Sequence, residues 1–417
     1  MINRLKSEFL RDVLILMSGT TIAQIIPISI SPILTRLYTP EDFGVFALFV
    51  AIVGLMAVTA SAGYEQAILI PNYDKYAINI LVLGFFLVCF TVIFAYLLIF
   101  LFKENILNLL NSSLLGDWLY IAPVTVFFVG LFNLLRNYNI RKKHYKDIAK
   151  AMVIKSTVLA IIQITIGILK SGFTGLILGQ VFAQLFANIK LMTNIVKNKA
   201  LLSSISLNKV FAVARKYKNF PKYNMPHSLL NTLSASLPIY IFTSFFGSTV
   251  AGYYSLALIA VFVPMAIVAS STAHVYSQKA TELYNGGENI YSFTIKIIKL
   301  LIKIFFIPYC IFIFFAPHIF KFIFSKEWTD VGIYIQILSV YIFLNFIVSI
   351  ISYIPMIKKL QKKAVTISII HFIILFISLY FTAKTYDVFM ALGVMCLVNS
   401  VILIYRFFWM INSIKKL

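Results

Sequence analysis

Two sets of polar side chains recur at helical spacing inside long apolar runs. Ser18, Thr21, Gln24, Ser31 and Thr35 stand three, four or seven residues apart, so they share one face of a helix. Asn224, Ser228, Asn231 and Ser234 form a similar stripe in the second half of the chain. A polar stripe turned to lipid is costly, so each must face protein or a water-filled cavity. Hydrogen bonding between helices, about 0.6 kcal/mol per contact, is one reading. A cavity shared by the two stripes is the other, and their placement on corresponding helices favours it. The chemistry open to such a lining is hydrogen bonding to a polar cargo.

Charged residues near the ends of these runs extend the list. Arg36 closes the first stripe, with cavity function and headgroup snorkelling both open to it. Glu65 and Gln66 end the second helix, and Glu65 is the candidate for coupling to a proton or cation. A shift of 208 residues brings Gln66 onto His274 of the eighth helix. Lys296, Lys299 and Lys303 lie on one face of the ninth helix, either snorkelling to an anionic inner leaflet or walling an anion-binding cavity. Arg136 and Lys155 border a basic loop and read as topology signals. His371 reads as a satisfied core histidine rather than a proton carrier. Pro27, Pro32, Pro226, Pro238 and Pro264 permit kinks, static or at a gate.

Nothing in the sequence points to catalysis, a cofactor or a metal. Gly19, Gly54 and Gly63 stand alone, with no phosphate-binding GxxxxGK. There is no extended outer loop bearing a carboxylate pair, since the longest outer loops, 103–117 and 317–330, run only about 15 residues. Cys89, Cys310 and Cys396 sit in apolar runs without Cys/His spacing and read as core filler. The expectation is a protein that is not an enzyme.

The elements that must hold these residues follow from composition. Of 417 residues, 61% are hydrophobic and 12% charged, against roughly 25% charged in soluble domains. A soluble fold and a disordered chain are both excluded. Twelve stretches reach the ~20 residues a membrane helix needs: 13–35, 43–63, 77–102, 118–137, 149–169, 172–195, 225–246, 252–273, 295–316, 331–355, 364–384 and 388–410. They do not alternate, so helices rather than barrel strands are expected. The first run is too long for a cleaved signal and lacks its small-residue site.

The net charge of +22 is distributed by topology. Of the 36 Lys and Arg residues, only Arg36, Lys103, Lys170, Lys321, Lys326 and Lys384 fall on one side, while the acids divide evenly. That is the positive-inside pattern, with both termini cytoplasmic, and it leaves no case for nucleic-acid binding. Trp118, Trp328 and Trp409 read as interfacial anchors. The long basic connection divides the chain into 1–196, a linker 197–224, and 225–417. The 208-residue shift pairs Ile33 with Ile241, Thr35 with Thr243, Gly44 with Gly252, Leu48 with Leu256 and Val53 with Val261. Parallel repeats of this kind are a transporter architecture.

Residues 34–48, Leu-Thr-Arg-Leu-Tyr-Thr-Pro-Glu-Asp-Phe-Gly-Val-Phe-Ala-Leu, resemble the first loop of the Wzx-type O-antigen and capsule flippases. These form the polysaccharide exporter branch of the multidrug/oligosaccharidyl-lipid/polysaccharide (MOP) superfamily. Ser18-Gly19-Thr20-x-x-Ala23-Gln24, Gly63-Tyr64-Glu65-Gln66-Ala67-Ile68 and Ala251-Gly252-Tyr253-Tyr254-Ser255-Leu256 are similar to that family as well.

The resemblance implies an all-α polytopic fold of two pseudo-symmetric six-helix bundles forming a V around a central cavity, in the bacterial inner membrane. It implies a flippase for undecaprenyl-diphosphate-linked oligosaccharide, with H+ or Na+ as coupling ion. Membrane lipids and the polymerase and chain-length proteins of the same pathway are the further partners. Cavity candidates are Gln24, Ser31, Thr35, Arg36, Asn231, Ser234, His274, Lys296, Lys299 and Lys303, with Glu65 for ion coupling. Two rivals remain: a drug/cation antiporter of the same superfamily, and a membrane polymerase or ligase acting on lipid-linked sugars.

Overall fold

The computed structural model describes residues 2–197, 202–358 and 360–415, with side chains from Ser18 onward apart from those of His274 and Asn285. The described residues are helical, without strands. The first half holds α1 (Ile2–Leu37), α2 (Pro40–Ala60), a single turn α3 (Tyr64–Ala67), α4 (Asp74–Leu109), α5 (Ile121–Arg141), α6 (Tyr145–Ile168), α7 (Thr174–Val196) and the short α8 (Leu207–Lys216). Then come α9 (Met225–Phe246), α10 (Ser248–Ala257), α11 (Val263–Asn285), α12 (Ile290–Ile323), α13 (Thr329–Ile350), a turn α14 (Ile354–Ile357), α15 (Gln361–Thr385) and α16 (Val388–Lys415). Among the described residues eleven helical segments are long and apolar enough to cross a membrane, and the chain is a multi-pass membrane protein. The remaining expected span, 13–35, falls on α1, part of which lies outside the described side chains.

The loop motif at 34–48 builds a helix junction. Thr39 caps α2: its hydroxyl accepts from the Asp42 N–H at 3.2 Å, and the Asp42 carboxylate accepts from the Thr39 N–H at 2.9 Å. Pro40 takes the first helical position, where its missing N–H is harmless. Tyr38 is buried and donates its phenol to the Gln163 carbonyl at 2.6 Å, tying the junction to α6. Burial, reinforced by the Asp42 charge, pushes that phenol up to about 12, so it stays a donor at physiological pH. A Cβ on Gly175 would collide with the Tyr38 hydroxyl, which is why α7 begins with glycine there.

The chain divides into two compact units, one reaching Ser236 and the other starting at Leu237. The division falls inside α9, twelve residues beyond the expected start of the second half. The segment leading into α9 packs on the first unit: Asn224 donates to Gln66 Oε1 at 3.2 Å, and Gly63, at φ +78°, sits against the Phe220 carbonyl.

Each unit is organised around its fourth span. In the first, α5 packs against α2, α4 and α7, while α1 runs along α6. Gly19 permits that approach, because a Cβ there would overlap Ala149, and Ser156 donates to the Ala23 carbonyl at 2.6 Å. In the second, α13 packs against α10, α11, α12 and α16. Four of the five residue pairs related by the 208-residue shift share their burial, Thr35 and Thr243 among them. Ile33 and Ile241 do not: the former is 48% exposed, the latter buried.

Proline chemistry shapes several helices. Pro317 on α12 cannot donate to the Ile313 carbonyl, and Gln336 of α13 fills the vacancy with a 3.1 Å bond. Pro226 and Pro264 each follow a widened π turn, at Phe220–Asn224 and Leu258–Phe262. The eighth span runs from α10 through the widened turn Leu258–Phe262 into α11 as one continuous segment.

Three sequence expectations need correction. Trp328 is fully buried, edge-on to Tyr253, and is a core residue rather than an interfacial anchor, because the chain folds a short turn over it. Cys310 is exposed, since α12 turns much of its apolar surface outward. Glu65 does not end the second helix: α2 stops at Ala60, and Glu65 lies on the separate turn α3.

Candidate functional site

The first unit holds two half-buried cations with no salt bridge among the described residues. Arg136 lies on α5, about 7 Å along the axis from its basic end, and Lys155 lies about 15 Å into α6. Both are half-buried, and the Arg136 Nε is covered and has no hydrogen-bond partner. The Lys155 ammonium faces the Phe132 ring at 5.5 Å and lies in electrostatic range of Arg136. A cation over an aromatic face recovers only part of what desolvation costs.

The nearby carboxylates are occupied elsewhere. Arg141 and Lys142 both bind Asp74, the former at 3.0 Å, and Lys190 binds Asp147 at 2.7 Å. Asn194 adds a 3.0 Å bond to Asp147. These pairs fasten helix ends together and neutralise part of the basic excess. Arg136 and Lys155 belong to a different class. Sequence reasoning took them for topology signals because they adjoin a basic loop. Packing of α5 against α6 instead carries both into the interior. Their position one to three turns inside apolar helices is the signal that could have singled them out. Farther along, Gln184 Oε1 and Asn188 Oδ1 of α7 are also covered and unpaired among the described residues.

The residues singled out from sequence divide by environment. Gln24 and Arg36 are exposed on α1, whereas Ser31 and Thr35 are buried. Ser31 donates to the Ile28 carbonyl at 2.7 Å and Thr35 to the Pro32 carbonyl at 3.1 Å. On α9, Asn231 is exposed, with its amide 3.5 Å from His227 Nδ1, and Ser234 donates to the Leu230 carbonyl at 2.8 Å. Lys296, Lys299 and Lys303 are all exposed on α12, unpaired and sharing one face. Glu65 is half-exposed and accepts a hydrogen bond from Ser61. The His274 side chain lies outside the described residues.

Two further features belong to the second unit. His371 Nε2 lies 3.0 Å from Asn399 Oδ1, as expected of a satisfied core histidine. A cavity of about 510 Å³ opens between α12 and α13, lined mainly by Phe306, Ile313, Phe314, Val340 and Phe343. Its polar members are engaged, Tyr309 with the Ser339 carbonyl at 2.8 Å and Gln336 with Ile313, so it suits hydrocarbon.

The fold places the chain in a class. It superposes on lipid II flippase MurJ in an inward closed conformation with a TM-score of 0.73, at 15% identity over 98% of this chain and 88% of that one. An inward-facing multidrug resistance MATE family transporter gives 0.69, at 17% identity over 96% of both chains. A MOP superfamily transporter from Pyrococcus furiosus, described by the reverse polarity of its binding pocket, gives 0.60 at 17% identity over 98% and 96%. This is the polytopic all-helical fold of the MOP superfamily. The chain belongs to the polysaccharide biosynthesis protein family, whose model matches residues 33–333. No curated protein matches it.

Proposed function

We propose that the protein is a flippase that carries undecaprenyl-diphosphate-linked oligosaccharide, an O-antigen or capsule repeat unit, from the cytoplasmic to the outer leaflet by ion-coupled alternating access. The observation that carries this reading is the unpaired Arg136–Lys155 pair between α5 and α6. A diphosphate brings about two negative charges and cannot cross hydrocarbon unaided, since even one charge costs several kcal/mol there. Two cations with no carboxylate partner among the described residues suit such a group and repel a cationic cargo. Membership of a polysaccharide biosynthesis family and likeness to a lipid II flippase support a lipid-linked substrate.

A drug/cation antiporter would want a carboxylate deep in the first half. The fourteen acids sit at helix ends, in loops or in the first turns of α1, so the anionic cargo is favoured. In this reading the halves 1–196 and 225–417, joined by the basic linker 197–224, alternate about a shared cavity. Gln24, Arg36, Asn231, Ser234, His274, Lys296, Lys299 and Lys303 contribute to its lining, Ser31 and Thr35 stiffen α1, and Glu65 takes part in coupling to H+ or Na+. The π turns before Pro226 and Pro264 are the bending points. Both termini lie in the cytoplasm, and the membrane is the bacterial inner one.

The test uses the purified full chain in liposomes carrying a fluorescent undecaprenyl-diphosphate oligosaccharide. Transfer between leaflets is expected, slowed at least tenfold by Arg136→Gln or Lys155→Gln, the effect of losing one charge-assisted hydrogen bond. Movement of a cationic dye in place of the diphosphate lipid would overturn the reading, as would chemical joining or cleavage of the lipid-linked sugar.

A further inference from the structure

The second unit holds a smaller cavity that the transport reading does not use. It measures about 250 Å³ and lies between the last turns of α13, the first turns of α15 and the last third of α16, where Asn345, Ser349, Ser352, Ser368 and Arg406 join apolar neighbours such as Leu403 and Met410. Arg406 is half-buried, two to three turns inside the end of α16. It donates from Nη2 to Ser368 Oγ at 3.1 Å and has no other protein acceptor among the described residues. No carboxylate is available to it from these helices, because residues 331–386 and 388–417 contain neither Asp nor Glu. Lys363 stands over the Trp409 ring at 5.3 Å, adding positive charge at the rim.

We infer that this cavity binds the phosphate headgroup of an anionic phospholipid from the leaflet facing the 358–363 connection. A guanidinium with free donors, flanked by hydroxyl and amide groups, matches phosphate oxygens. At about 250 Å³ the cavity is of a size for a headgroup rather than for a chain of sugars. The cavity lies between membrane-spanning helices, where a phosphate at the helix ends is that of a lipid, and basic pockets between helices are a known form of lipid recognition. A headgroup held here links the ends of three helices of the second unit.

Native mass spectrometry of the full chain in neutral detergent tests this, with phosphatidylglycerol, phosphatidylcholine and inorganic phosphate as probes. The first phosphatidylglycerol is expected to bind about tenfold more tightly than phosphatidylcholine. Arg406→Gln should abolish that preference. Ser352→Phe, which fills the exposed rim without touching the arginine, should do so too and covers the case in which the first variant fails to fold. Equal binding of the two lipids by the wild type, or a preference that survives both substitutions, overturns the proposal. Displacement of phosphatidylglycerol by millimolar inorganic phosphate also overturns it, assigning the site to the free ion. The readout is binding, so failure here leaves the transport reading standing.

Discussion

At the scale of single residues, burial separates cations that look alike in sequence. Arg141 and Lys142 share Asp74 and fasten α5 to the start of α4; Arg136, five residues earlier, has no partner for its covered Nε. Such an arrangement destabilises the protein that carries it, because an uncompensated charge loses hydration. Arg136→Met keeps the volume and removes the charge. Its thermal unfolding temperature in detergent is therefore expected to equal or exceed that of the wild type, while translocation in liposomes falls at least tenfold. A lower unfolding temperature would make Arg136 a structural residue. The polar stripe on α1 shows the converse. Ser31 and Thr35 share spacing with Gln24, yet they are buried and bonded to their own backbone whereas Gln24 is exposed. Periodicity places residues on a face; which part of that face is covered depends on the neighbouring helix.

At the scale of elements, junctions and crossings carry the sequence signals that were easiest to see. The 34–48 motif that resembles the flippase family is a capping box, a helix-starting proline and a buried tyrosine, so its specificity is architectural. Thr39→Ala removes the cap and should cost about 1 kcal/mol, measurable as a lowered midpoint of denaturation. Gln336→Leu leaves the Ile313 carbonyl beside Pro317 without a donor and should cost about 1–3 kcal/mol by the same measurement. Gly19→Leu cannot be accommodated against Ala149; cross-linking of cysteines placed on α1 and α6 should report their separation. Positions of the prolines were legible in the sequence. The π turns preceding Pro226 and Pro264 were not, since a missing N–H permits either a kink or a widened turn.

At the scale of the whole molecule, the two units have similar plans: a fourth span at the centre, ringed by the second, third and sixth. The 208-residue shift pairs residues of matching burial at four of five positions. If transport is coupled to protons, collapsing the proton gradient across liposomes should slow translocation severalfold; an unchanged rate under a sodium gradient would assign the coupling to Na+. Membrane insertion, helix content and the apolar runs were determined by the sequence alone, because hydrocarbon forces every backbone group into local hydrogen bonds and leaves composition as the arbiter. The tertiary structure decided which charges are paired and which are stranded. Arg136, Lys155 and Arg406 differ from their basic neighbours only in what the adjoining helix brings within a few ångströms, and no spacing along one chain segment encodes that.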